Sequence, residues 1–461
     1  MPAYPPLYPG QTFQVYGRSV TWTSQHYTPA ELSPLLYSSD SLADECLARL
    51  DALTPSIPPS PSKGYLSLLL SNPDDPLLTS VLTLPPWVSL PQLVRAQSLL
   101  YLHLPAFLTS LTFQSLLGGA AAPRISSVLL QTNGFSPNTT HRRLLQTFQH
   151  VLDITSSPEA LLPPHGEAFI STLRVRLLHA SVRRRILSKP RSASGRTKSG
   201  PDDEDNNGDS NAPRIPPIST LHSLATILSF SVAITEMSLP RQGIFLTPQE
   251  RSDWLALWRY VAHLLGCDHT CLASVALASA MLESIVVSEL GPSDDSRRVA
   301  RNMIAGLSMT SPTYSSEAFL RAQARWLNGA ELADGLGIKW DGWYYDGAVA
   351  GQCIVLMGVS LFGRLMPGRW WEGLVRKGVG RMMIKEGVGA RGGETWERKG
   401  YVTDWWGWKG KGGERGDEGK AWRGTLIEWR NLTVLFLTIA GSGKLVWKGV
   451  GIVSQILEGL A

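Results

Sequence analysis

Three residues near the middle of this chain combine charge with ligand chemistry at a spacing that one helix face can present: Arg176, His179 and Arg183, at i, i+3 and i+7. At about 100° per residue they fall within an arc of roughly 60°. Val175, Val182 and Ile186 flank His179 on its apolar side, which turns the imidazole toward a core and leaves both guanidiniums at the polar margin. Arginine stays protonated and is costly to bury unpaired, so such a face asks for an anionic partner beside an apolar body. A b-type haem has those properties: iron takes a neutral imidazole nitrogen, the propionates take arginines, and the macrocycle fills apolar space. The same spacing also suits an ordinary hydrogen-bonded boundary histidine, and spacing alone leaves both readings open.

The element that must position these residues is a helix over 166–187, one of a long series. Apolar residues recur at helical spacing over 91–102, 105–117, 140–154, 220–235, 248–265, 271–290, 294–307 and 316–332, and no convincing alternating strand interrupts them. Thr247-Pro248-Gln249-Glu250 is a capping box with proline at the first helical position. The expected fold is all-α. Residues 1–90, rich in Pro and Ser, read as an irregular region with short helices over 30–36 and 42–52 and little chemistry. Residues 91–335 form the helical domain, and 336–461 a Gly- and Trp-rich extension. Within the helical domain, 189–214 carries almost no large apolar residue and reads as a disordered insertion.

At 461 residues with 43% hydrophobic content the chain can bury a sizeable core. A net charge of +5 with no polybasic block argues against a nucleic-acid partner. Four thinly spread cysteines, Cys46, Cys267, Cys271 and Cys353, argue against a disulfide scaffold and for a reducing compartment. The first ten residues have neither a basic nor an apolar segment of the secretory type. The longest apolar runs, 353–362 and 432–440, are shorter than the roughly 20 residues of a spanning helix. An intracellular protein, cytoplasmic or peripherally attached to a membrane, is therefore expected.

The text around His179 narrows the choice. Val175-Arg176-Leu177-Leu178-His179-Ala180-Ser181-Val182-Arg183 resembles the signature helix of the latex clearing protein (rubber oxygenase) and ER-bound mpaB-type oxygenase family. Other segments follow in the same order. Thr132-Asn133-Gly134, then Arg142-Arg143-Leu144 and Thr147, and His165-Gly166-Glu167 precede the helix; Pro217-Ile218, Phe230-Ser231, Gly243, Thr247, Glu250, Trp258-Arg259 and Leu265-Gly266 follow it. The resemblance covers about residues 91–335. It implies a globin-like helical core with additional helices, a haem b iron held by His179, and Arg176 and Arg183 around the haem or its propionates. By the same resemblance Arg143 and Thr147, at i and i+4, lie on the distal side. The implied partners are O2 and a hydrophobic alkene, either a small molecule or a polyisoprenoid, and the implied reaction is oxidative C=C cleavage, with association to the endoplasmic reticulum as one possible location.

Two departures bear on the substrate. Rubber oxygenases carry a lysine just before the threonine, where this chain has Gln146, and a glutamate on the preceding helix, where 126–131 holds no acid. Haem binding is compatible with both changes, and an isoprenoid or lipid other than rubber gains weight. A haem sensor or carrier without turnover, and a cofactor-free helical interaction protein, are the alternatives. Elsewhere, Cys267, His269 and Cys271 lack the second half of a structural zinc site and read as a helix-connecting turn. Gly441-Ser442-Gly443-Lys444 lacks the first glycine and the strand of a phosphate loop.

Overall fold

The computed structural model describes residues 8–55, 64–188, 214–385 and 422–439, apart from 133, 134, 138 and 312. Most of insertion 189–214, the Gly/Trp-rich stretch after 385 and the 441–444 segment lie outside the described residues. Among the described residues the fold is helical, with one two-stranded sheet.

Where the apolar period is strong the expected helices form: Thr140–Ile154, Glu167–Leu187, Pro248–Leu264 and Asp294–Leu307. The Thr247 hydroxyl accepts from the Glu250 amide while the Glu250 carboxylate accepts from the Thr247 amide, completing the capping box. Elsewhere the long patterns divide. The 105–117 run becomes a short helix, Leu104–Thr109, followed by a π-helical segment, Ser110–Gly118. The 220–235 run stops at Phe230 and resumes as a π-helical segment, Ala233–Ser238. Hydrophobic period registers the face but not a local change from i−4 to i−5 hydrogen bonding, and π-segments cluster at functional sites.

The first 90 residues are more ordered than their composition implied. Thr12–Val15 and Arg18–Thr21 pair antiparallel through a two-residue Tyr16-Gly17 turn. Helix Ser41–Leu53 buries Cys46, Leu47 and Leu50 in the same core as Trp254, Tyr260 and Phe169 of the central helices. A second apolar cluster, built on Asp294–Leu307 and Glu317–Asn328, closes the opposite side.

C-terminal to residue 335 the structure corrects a second expectation. The apolar run at 353–362 is the middle of a longer helix, Trp343–Leu365, that is long and apolar enough to cross a membrane. Its inner side packs on Glu317–Asn328, and helix 422–439 lies across it at Gly351, where any side chain would strike the Asn431 backbone.

Candidate functional site

One turn pattern, used twice, builds the wall of an internal cavity. On helix Thr140–Ile154, Arg143, Gln146, Thr147 and His150 stand at i, i+3, i+4 and i+7; on helix Glu167–Leu187, Val175, Leu178, His179 and Val182 repeat that spacing. The two helices pack together, pinned by the His150 Nδ1 to Ser171 Oγ hydrogen bond at 2.8 Å. The π-helical segments contribute Gln114, Leu116, Ala233 and Met237, and the hairpin contributes Val15, Tyr16 and Arg18. The cavity volume is about 440 Å³ and the wall is mostly apolar, which is the scale and character of a small-molecule site.

His179 is enclosed by protein yet only partly covered, because its remaining surface faces this cavity. Burial, aided by the nearby Arg183 charge, lowers its pKa from 6.5 to about 4. The imidazole is therefore neutral at neutral pH, the form in which histidine ligates a metal. His150 is lowered to about 4 as well, by burial first and then by His179 and Arg174. Arg143 is lowered to about 10, by burial and by Arg142, and stays protonated.

Arg176 and Arg183 do not line the cavity. They sit on the same helix, about 100° around the axis from the centre of the cavity face, and both are buried. Arg176 donates from Nε to Asp40 at 2.6 Å and from a terminal nitrogen at 2.9 Å; Arg183 holds Asp44 at 2.7 Å and donates to the Asp40 carbonyl at 3.1 Å. Asp40 is the N-cap of helix Ser41–Leu53 and Asp44 lies in its first turn. The anionic partners that this face meets in the structure are a pair of carboxylates from the first 90 residues. Gly266, at φ +69°, leaves room for the Arg176 guanidinium; a side chain there would collide with it.

The cavity wall holds its own charges. Arg18, Arg124, Arg143 and Arg241 line it, against Glu283 and Glu289, so the wall is basic. Glu289 is buried and receives Arg124 at 2.8 Å, with His222 Nε2 at 3.5 Å. Burial raises its pKa, but the nearby His222 ring and the Arg124 guanidinium outweigh that effect and the net displacement is downward. A carboxylate is therefore present at this wall although 126–131 has none: it arrives from helix Val275–Glu289 and pairs with Arg124 of Pro123–Gln131. Gln146 lines the cavity beside Thr147, whose hydroxyl donates to the Arg143 carbonyl at 3.1 Å. The sequence reading missed His150, although it extends the Arg143–Thr147 face by one further turn. It also missed Arg18, Arg241 and Glu289, which no local pattern connects to His179.

Cys267, His269 and Cys271 do not converge. Cys267 lines the cavity, while the His269 ring packs 5.0 Å from Trp87. All four cysteines are free thiols.

The helical frame thus brings a mostly apolar cavity together with a neutral, ligand-competent imidazole at its wall. Residues 100–352 match the family described as ER-bound oxygenase mpaB/B'/rubber oxygenase, catalytic domain, and the chain belongs to that oxygenase family. Among solved structures it is similar to latex clearing protein in the closed state, with a TM-score of 0.54 and 19% identity over 79% of this chain and 92% of that one. At that identity the likeness establishes the fold. No curated protein matches the sequence.

Proposed function

We propose that this protein is a haem-dependent oxygenase that uses O2 to cleave a C=C bond in an isoprenoid-type or other hydrophobic alkene. The observation that carries the reading is His179: a neutral imidazole at the wall of a mostly apolar cavity of about 440 Å³. The residues present suit haem b. A ligand nitrogen is available at neutral pH, the apolar wall suits a macrocycle, and a wall with four arginines and two glutamates suits two propionates. Arg18, Arg143 and Arg241 are the candidates for those carboxylates, in place of Arg176 and Arg183, whose charges are already matched by Asp40 and Asp44.

When bound, haem supplies oxygen activation, and the protein supplies position and surroundings. His179 would hold the group through a ring nitrogen. Val175, Leu178, Val182 and Phe230 exclude water and give an alkene an apolar bed. Arg143, Thr147 and His150 form the facing polar strip, in which the Ser171 contact fixes the His150 ring. Protein reconstituted with hemin is expected to consume O2 with squalene and to yield carbonyl fragments detectable by mass spectrometry. Haem-loaded protein that consumes no O2 with squalene or a short polyisoprenoid would favour the sensor or carrier instead.

A further inference from the structure

A second cavity, of about 500 Å³, lies against the first. Leu116 and Thr147 belong to the walls of both. Pro105, Thr313 and Arg430 also line it and are exposed, so this chamber reaches the surface. We propose that it is the binding chamber for the uncharged apolar chain of the substrate, which enters there and passes Leu116 and Thr147 to reach His179. The proposal rests on the reading of the His179 cavity as the reaction site.

The chemistry of its wall selects the occupant. The first cavity carries six charged side chains, whereas among the described residues the exposed Arg430 is the sole permanent charge lining the second. Several polar groups of the wall are turned to one another or to backbone: Gln323 donates to Gln352 at 2.8 Å, His141 Nε2 lies 3.3 Å from the Ser311 carbonyl, and Thr310 donates to the Leu307 carbonyl at 2.7 Å. Thr147, at the junction, has its hydroxyl on the Arg143 carbonyl. An alkyl or isoprenoid chain is therefore accommodated at little desolvation cost, and an ionic headgroup finds little to pair with. The π-helical segment Ser110–Gly118 forms the partition, with Leu111 and Phe113 on the outer chamber, Gln114 and Ser115 on the inner, and Leu116 on both. Helix Trp343–Leu365 roofs the outer chamber with Val355 and Val359.

The chamber is tested without haem by titrating the purified full chain with diphenylhexatriene, an uncharged rod that fluoresces in apolar surroundings. Val355→Trp, which fills the outer chamber, is expected to weaken binding by about tenfold or more, and Val359→Phe to act in the same direction where the larger change prevents folding. Binding unaltered in folded forms of both variants would overturn the proposal. Passage is tested in hemin-loaded protein: squalene is expected to shift the Soret band of the parent but not of a Leu116→Trp variant that itself retains a Soret band. An equal shift in Leu116→Trp would show that the chain arrives by another route. Absence of any Soret band, with the fluorescence results as expected, would count against the haem reading and leave the chamber standing.

Discussion

Two faces of the helix Glu167–Leu187 bury polar groups by opposite means. On one, Arg176 and Arg183 stay charged and are matched by Asp40 and Asp44 at 2.6 and 2.7 Å. On the other, the cavity face, His179 is neutral: burial first, then the Arg183 charge, lowers it to about 4, and on the adjoining helix Thr140–Ile154 burial lowers His150 likewise. Asp153, one turn beyond His150, is raised to about 7 by burial, against the opposing hydrogen bonds of Gln149 and Ser171. A charged face locks the helix to the N-terminal region, whereas a neutral face leaves an imidazole available to a ligand.

Breaking the charged face carries the largest expected effect. Arg176→Ala leaves the Asp40 carboxylate, itself 12% exposed, without its partner, and is expected to lower unfolding stability by about 3 kcal/mol, read from the denaturant midpoint at unchanged slope. If the pairing is structural, removing both partners should cost far less than removing one. Arg183→Met combined with Asp44→Leu is expected to fall within about 1 kcal/mol of the parent while Arg183→Met alone falls well below it. A double variant as unstable as the single one would assign Arg183 a partner other than Asp44.

A smaller effect separates the neutral face by pH. The Asp153 pKa is raised in the folded state from 3.8 to about 7, so between those values the folded chain holds a proton that the unfolded chain has released. Stability contributed by this group is therefore full below about pH 4 and declines as pH rises toward 7. Asp153→Asn, which stays neutral throughout, should flatten that decline in a series of denaturation curves. An unchanged slope would mean that Asp153 is ionised in the folded protein.

The difference between the faces also marks what the sequence could convey. Helix Thr140–Ile154 was legible to the residue because Leu144, Phe148, Val151 and Leu152 repeat at helical spacing, and His179 was legible because its apolar flanks point it inward. The partners of Arg176 were not: Asp40 lies 136 positions away, and nothing local marks it as more than a helix cap. The hairpin was hidden for a different reason, since four-residue strands are too short for alternation to register. Glu289 and Arg18 reach the cavity only because separate elements converge there, a property of packing rather than of any one segment.

The account turns on whether the neutral face, and not the charged one, holds the prosthetic group. Hemin titrated into the purified protein is predicted to give a saturable Soret band that is lost in His179→Ala, with the variant otherwise folded by circular dichroism. A folded parent protein that stays colourless, or a His179→Ala protein with an unaltered band, would contradict it.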